Sequence, residues 1–435
     1  MKSDIIVIGG GASGLMAAYG AASALVKDGR DASVTMLEKM PRPGRKIMIT
    51  GKGRCNFTNL KEWNEFSAHI RSNPDFVKNA FYNLNPSNMI SFFEDNGMST
   101  VVERGERAFP ASYRASDVVD TLVNACNAQG VKIVSGCEVR GVEPLEGEWK
   151  YSLGCADGGT WLCRRLILAT GGLSYPASGS TGDGFIWAAK LGHEITTLFP
   201  SLTALVPRGY KRIETPDGLH IDRSNPLAEL GKALCGIQLK NVGLSLMIAG
   251  RCTDEGLGDV DFTDGGIEGP LGFQMSRKAV KAMINGSKVA LVLDLKPGVE
   301  PSELGSRVEE LKLQIERDPR SRRLGEKEKQ RILLGKLMPW ELIPAFRQCH
   351  KDIVAGLKEW MFPIEGYVGY ERAVVTAGGV CVDSLLRKTL ESRLCPGLYM
   401  CGEMLDVDCD TGGYNLQTAF STGLLAGQSA AKSLL

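Results

Sequence analysis

A chain of 435 residues with 51 Lys and Arg against 50 Asp and Glu has no charge excess to recruit a polyanion, and its 43% hydrophobic, 7% aromatic composition fits a globular α/β protein of two or three domains. Its twelve cysteines form no Cys-x-x-Cys pair and no Cys/His spacing suited to zinc, so no metal is expected, and the thiols read as reduced in a cytoplasmic protein. The apolar opening, residues 5–8, is too short for a signal peptide and no stretch approaches a membrane span, which leaves small molecules as the expected partners, with no nucleic acid and no membrane.

In chain order, the β-branched run 5–8 predicts a buried parallel strand, the alanine-rich 13–27 a helix and 34–37 a second strand, which together make a βαβ unit. A loop-rich stretch, 40–59, precedes helices predicted over 75–96 and 117–129, the second with Ser116 as N-cap and Gly130 as stop. Strands are predicted at 131–135, 150–155, 161–163 and 166–169, an alternation that suits a sheet wound on both faces. Beyond His193, short apolar stretches at 201–206, 236–239, 244–249 and 289–293 sit between turn residues and predict a small β-rich domain. Leu304, Val308, Leu311 and Ile315 then recur at helical spacing within a charged region, 301–351, which predicts a helical insertion. Glycine-rich segments resume near Ala373 and end in a helix over 416–434. The expected division is 1–195 for the first part of a dinucleotide domain, 196–300 β-rich, 301–355 helical, 356–372 a return through the β-rich domain, and 373–435 the completion.

The opening unit carries the first chemistry. Gly9 suits a tight turn, Gly11 lets backbone approach a pyrophosphate, and Gly14 lets the helix pack on the sheet; Ala12 and Ser13 start that helix, whose N-terminus faces the anion. Glu38, followed by Lys39, ends the second strand 24 residues beyond Gly14, where a carboxylate accepts ribose hydroxyls and repels a 2′-phosphate. The unit alone does not separate FAD from NAD. The chain's end favours FAD, because Gly402, Glu403 and Asp406 follow a strand, and Gly412, Gly413, Tyr414, Asn415 and Leu416 open a helix whose N-terminus suits the flavin edge that gains negative charge on reduction. Thr170, Gly171 and Gly172 leave a buried strand, and residues 51–59, with Gly53, Arg54, Cys55, Asn56 and Thr58, concentrate donors suited to phosphate or to the flavin's polar edge.

The segments 9–14, 44–46, 51–59, 169–172, 375–380 and 402–417 resemble, in order and over nearly the whole chain, the BaiN/RdsA and aminoacetone-oxidase-like bacterial flavoproteins, a family of NAD(P)/FAD-dependent oxidoreductases. The run 261–270 is a weaker version of the family's Phe-Thr-His-x-Gly-x-Ser-Gly-Pro segment, with Asp264 and Glu268 where histidine and serine are usual. The resemblance implies an α/β fold, a Rossmann-like FAD-binding domain interrupted by a β-barrel-like domain and a helical insertion, with the flavin at their junction. It implies that Arg45 and Lys46, Arg54, Cys55, Asn56 and Thr58, Asp406, and Gly412 to Leu416 lie near bound FAD.

Several residues with catalytic potential read more plainly as structure. Cys55 has no partner cysteine nearby, Cys401 and Cys409 are separated by seven intervening residues, and His69, His193, His220 and His350 are each isolated from an acid or serine in sequence. Tyr175 and Tyr367 read as packing residues, and the cationic 317–331 as a solvated helical face. No catalytic side chain is assigned. The function expected is an FAD-dependent oxidoreductase in which hydride passes between NAD(P)H, docking transiently, or a small organic substrate and flavin N5. Two alternatives are an oxygen-dependent oxidase of a small amine or amino-ketone, and a flavin-bound nucleic-acid-binding or modification factor.

Overall fold

The β-branched opening run lies in β1 (Lys2–Ile8), which leads through a glycine turn into α1 (Ala12–Lys27) and on to β2 (Val34–Glu38). Helices α2 (Pro74–Asn83), α3 (Pro86–Asp95) and α4 (Ala115–Ala128) follow, then strands β3 (Lys132–Ser135), β4 (Val139–Pro144), β5 (Tyr151–Cys155) and β6 (Thr160–Leu168), and α5 (Asp183–Lys190). The computed structural model describes residues 1–213 and 218–434. These fall into two units, residues 1–199 with the chain from Val374 onward, and residues 200–373.

In the first unit the strands form a seven-stranded sheet in which six follow the order β3-β2-β1-β6-β5-β4 and the seventh, at residues 398–400, pairs with β6 off that path. β1 is hydrogen-bonded in parallel on both edges, to β2 and to β6, which explains why Ile5, Ile6 and Val7 are fully buried and why the run shows no alternation. The two short strands expected at 161–163 and 166–169 are one. Arg164 and Arg165 read as a break, yet there β6 exchanges one partner for another: its first half pairs antiparallel with β5 and its second half parallel with the returning strand at residues 398–400. The single helix expected over 75–96 is two, because Asn85 accepts the Asn88 amide at 2.8 Å and Pro86, lacking an N–H, starts a new first turn. Ser116 does not cap α4; Arg114 holds that position, and the Ser116 hydroxyl bonds the Asp117 carboxylate at 3.0 Å.

The second unit is built on a closed barrel of β7 (Leu205–Pro207), β8 (Gln238–Ile248), β9 (Arg251–Thr263), β10 (Gly266–Glu268), β11 (Val289–Asp294) and β12 (Trp360–Tyr367), so the β-barrel-like insert expected from the sequence is present. β8 joins the two stretches expected at 236–239 and 244–249 across a register shift between Leu239 and Val242, with Asn241 left-handed at φ 53°. β9 and α6 (Gly269–Ile284) were not expected. Only Val260 and Phe262 of β9 are buried and its first half carries Arg251, Asp254 and Glu255, so it lacks an apolar signature, and it is held by pairing with β8 and β10. The helical insertion contains α7 (Pro301–Arg317), in which Leu304, Val308, Leu311 and Ile315 are all buried as their spacing predicts, and α8 (Glu326–Gly335).

The chain then returns to the first unit through β13 (Leu398–Met400) and ends in α9 (Tyr414–Lys432). α9 packs backbone to backbone on α1: a Cβ at Gly423 would overlap the Ser13 carbonyl oxygen and one at Gly427 the Ala17 carbonyl oxygen. Both helices follow strands that pair in parallel with β6 and so run parallel to each other, and the contact offsets, from 404 at Gly20 and Leu424 to 410 at Ser13 and Gly423, start α9 between two and eight residues before the level of Ala12. At 1.5 Å per residue its N-terminus reaches between about 3 and about 12 Å beyond that of α1. No helix among the described residues is long and apolar enough to cross a membrane.

Candidate cofactor site

At the end of β1 the chain turns at Gly9, where φ is 104° and a Cβ would strike the Ala169 carbonyl oxygen. A Cβ at Gly14 would overlap the Gly9 carbonyl oxygen, so α1 sits directly on the turn. Gly11 differs: its φ of −79° suits any residue, and a Cβ there would meet no protein atom within 4 Å. Packing within the protein requires Gly9 and Gly14 but not Gly11, which opens on a cleft it shares with Glu38, Arg45, Thr170 and Asn415.

The cleft receives the N-termini of both parallel helices. The first intrahelical bond of α1 is Leu15 N–H to Gly11 O and that of α9 is Gln417 N–H to Gly413 O, which leaves the amides of residues 12–14 and 414–416 without intrahelical acceptors. Neither first turn carries an acidic residue or a side-chain cap. Both ends therefore present donors and the positive end of a helix dipole to whatever occupies the cleft.

Glu38 is buried on the cleft wall, accepting the Gly10 amide at 2.6 Å and the Met40 amide at 2.7 Å. Burial raises its pKa; the two amides and the charges of Lys39 and Arg45 pull the other way without cancelling it. Each oxygen retains acceptor capacity, since a carboxylate offers about four lone-pair sites. Lys39 is bound by Asp183 at 2.7 Å and by Thr181, and Lys46 by Glu403 at 2.6 Å, while the other Glu403 oxygen accepts the Thr376 amide at 2.9 Å. Arg45, Thr170, Gly171, Gly402, Asn415 and Leu416 also line the cleft. The Asn415 side chain fixes the preceding loop through Cys409 N–H and the Cys409 and Asp410 carbonyls, at 2.9 to 3.0 Å.

Residues 51–59 take a different position. Lys52 and Cys55 are left-handed at φ 58° and 56°, strain tolerated where the surroundings fix the backbone. Arg54 lies over Phe109, 5.1 Å from the ring centroid, and near Glu103 at 3.7 Å, and is not among the cleft-lining residues. Thr58 hydrogen-bonds Gln417 of α9 at 2.5 Å. Asn56 Oδ1 is buried without a hydrogen-bond partner, and a Cβ at Gly413 would come within 2.9 Å of it. Thr170 Oγ1 is likewise buried and unpartnered. Gly53, Cys55, Asn56, Thr58, Gly172, Asp406, Gly412, Gly413 and Tyr414 are not among the residues that line the cleft.

The fully buried Cys55 thiol is pushed up to about 12, as are the Cys401 and Cys409 thiols, so none is a thiolate near neutral pH. The histidines are less isolated than their sequence positions imply. His69 Nδ1 meets Asp410 at 3.0 Å and its ring stacks on Tyr414 at 4.2 Å, His193 bonds Ser384 and Ser392, and His220 meets Glu371 at 3.3 Å. These partners lie between 151 and 345 residues away, beyond the reach of spacing rules. Within the barrel unit, Asp264 and Glu268 hold Arg372 between them at 2.6 and 3.1 Å, which accounts for two acids replacing histidine and serine. Sequence reasoning missed the cleft residues Arg42, Cys137, Ser180, Asp183 and Trp187; of these only Asp183, beside Gly182 at a helix start, carried a local signal.

A family model for the HI0933-like protein Rossmann domain matches residues 3–429. The chain is 32% identical over 442 residues to the 3-dehydro-bile acid delta(4,6)-reductase of Clostridium scindens, covering 98% of each chain. It is 30% identical over 434 residues to the ribosomal RNA dihydrouridine synthase of Escherichia coli, covering 99% of each. Among solved structures, 3-ketosteroid delta1-dehydrogenase from Sterolibacterium denitrificans shares the fold with a TM-score of 0.52 at 13% identity, covering 99% of this chain and 100% of that one.

Proposed function

The chain belongs to the HI0933-like Rossmann family and is by that kinship an oxidoreductase, and from this premise we propose that it is an FAD-dependent reductase that saturates a carbon–carbon double bond conjugated to a carbonyl, with NAD(P)H as electron donor. The observation that carries the reading is the pair of parallel, uncapped helix N-termini spaced along one cleft, with that of α9 the further forward. That spacing suits a ligand with an anionic middle and a polar ring at one end. The activities named for the relatives, bile-acid reduction at delta(4,6) and dihydrouridine formation, share the saturation of such a bond, which supports reduction over amine oxidation.

The residues present fit FAD. Amides at Gly11, Ala12 and Ser13 would hold the pyrophosphate, and Glu38 would take the adenosine ribose hydroxyls on the lone pairs its two amide bonds leave. Asn56 Oδ1, a buried acceptor without a donor, matches the one N–H on the flavin's pyrimidine edge. Amides 414–416 would face the same edge, where the dipole, worth about 1 to 2 kcal/mol, raises a two-electron potential by roughly 20 to 40 mV. Bound there, FAD supplies a two-electron carrier that accepts and donates hydride at N5. The Lys46–Glu403–Thr376 bonds hold the wall beside Gly172 rigid.

Anaerobic mixing tests the reading. NADH or NADPH is expected to bleach the bound flavin, and an added enone to restore its colour. Failure of both nicotinamides alongside bleaching by a small amine would replace the reductase with the oxidase.

A second reading, in which the bond reduced belongs to an RNA base, is favoured by the helical insertion. Between 317 and 336 it carries eight cations against three acids, all of them at least partly exposed. Lys327 and Arg331 follow at i, i+4 on α8, Arg331 lies 5.6 Å from the Trp340 ring centroid, and that half-exposed indole lies against Gly335. A cationic stripe ending in an aromatic face suits single-stranded RNA. Replacing Arg322, Arg323 and Arg331 by alanine is expected to lower the salt slope of RNA binding by about 2 while NAD(P)H still bleaches the flavin. Absence of salt-sensitive RNA binding by the unaltered protein would leave the small-molecule reading alone.

A further inference from the structure

Two cysteines far apart in sequence meet at the cleft wall. Cys137 Sγ lies 3.5 Å from Cys155 Sγ, and both thiols are free. Cys137 precedes β4 and lines the cleft; Cys155 ends β5, and the segments are bonded there through Ala156 N–H to Glu138 O at 2.8 Å. The backbone at Cys137 is in turn tied to the strand end that carries Glu38: Cys137 N–H donates to Glu38 O at 2.9 Å and Gly136 N–H to Met40 O at 3.1 Å. Glu38 reaches the glycine loop through its bond to Gly10. A short covalent and hydrogen-bonded path therefore runs from the sulfur pair to the proposed adenosine end of the cleft.

We propose that Cys137 and Cys155 form a reversible disulfide, closed by low-molecular-weight disulfides, and that closing it loosens FAD by displacing the Cys137 wall and Glu38. The sulfurs must approach from 3.5 Å to the roughly 2.05 Å of a disulfide bond, a movement of about 1.5 Å that the backbone ties pass to residues 38–40. Cys137 is the more accessible thiol, while burial pushes the Cys155 thiol up to about 12, so Cys137 attacks first. Its thiolate displaces one small thiol and forms a mixed disulfide. Cys155 then attacks the Cys137 sulfur and displaces the second small thiol. Two protein thiols are oxidised, one small disulfide is reduced to two thiols, and those carry away both protons.

The loosening of FAD rests on the reading of the cleft as an FAD site, whereas the sulfur linkage does not. The test treats the purified holoprotein with oxidised glutathione, alkylates the remaining thiols and identifies linked peptides by mass, with the FAD dissociation constant measured before and after. The expected result is a linkage between the peptides containing Cys137 and Cys155, an FAD dissociation constant raised about tenfold, as loss of one charge-assisted hydrogen bond gives, and reversal of both by dithiothreitol. Cys155→Ala, outside the cleft lining, should show neither change; should that variant not fold, dithiothreitol reversal in the unaltered protein supplies the comparison. Two alkylatable thiols after treatment, or a linkage with unchanged FAD affinity, overturns the proposal. A reduced protein that binds no FAD while still forming the linkage refutes the FAD reading instead.

Discussion

Replacing Gly11 with alanine is expected to strip the flavin from the protein while leaving its fold intact, and replacing Gly14 is expected to do the reverse in order of cause. A Cβ at Gly11 meets no protein atom within 4 Å and its φ of −79° is ordinary, so G11A should unfold within about 1 kcal/mol of the parent, the weaker N-cap offsetting the gain in chain stiffness. The methyl group occupies the space a pyrophosphate needs beside the amides. FAD affinity should fall about 100-fold, equivalent to about 2.7 kcal/mol. In G14A the added carbon overlaps a backbone carbonyl, which cannot swing aside as a side chain can, so α1 must lift from the turn. About 3 kcal/mol of stability should go, lowering Tm by roughly 6 to 12 °C in the apoprotein. Gel filtration for retained flavin and thermal melting of both apoproteins check the pair. Unaltered flavin retention by G11A would mean that the loop does not face the cofactor.

These two glycines show why the opening unit was legible. Each requirement there is met within some forty residues: a β-branched run, glycines at fixed spacing, an alanine-rich helix, a second strand and its terminal acid. The C-terminal helix was legible too, but its register on α1 was not, because Gly423 and Gly427 act through contacts with Ser13 and Ala17 some 410 residues away. β9 was invisible for a different reason: a strand that buries little and carries Arg251, Asp254 and Glu255 offers no alternation, and only its partners make it a strand. Residues 51–59 stood out in the sequence for their concentration of donors, yet within that segment the side chains part company. Asn56 turns an orphaned acceptor toward the start of α9, whereas Arg54 is engaged with Phe109 and Glu103. Spacing identifies a segment rich in donors; packing decides which of them remain available.

Glu38 offers the second large effect, and it separates fold from function through pH. Substitution by glutamine keeps the shape but leaves one acceptor oxygen and places an NH2 against the amide of Gly10 or Met40. FAD affinity in E38Q should drop between about 10-fold and 100-fold, the range of one or two charge-assisted hydrogen bonds. Because burial raises the Glu38 pKa above its unfolded value, the folded chain holds a proton there more tightly than the unfolded chain does. The stability contributed by that proton is complete below the unfolded carboxylate range and is lost as pH rises through the raised pKa. The unfolding free energy of the parent apoprotein minus that of E38Q should therefore decline as pH rises through the interval above the ordinary carboxylate range, with a slope no steeper than about 1.4 kcal/mol per pH unit, the limit for one proton. Urea titrations across that interval measure it. A difference that rises with pH would show that the Gly10 and Met40 amides outweigh burial, and that Glu38 is already a settled carboxylate before any ribose reaches it.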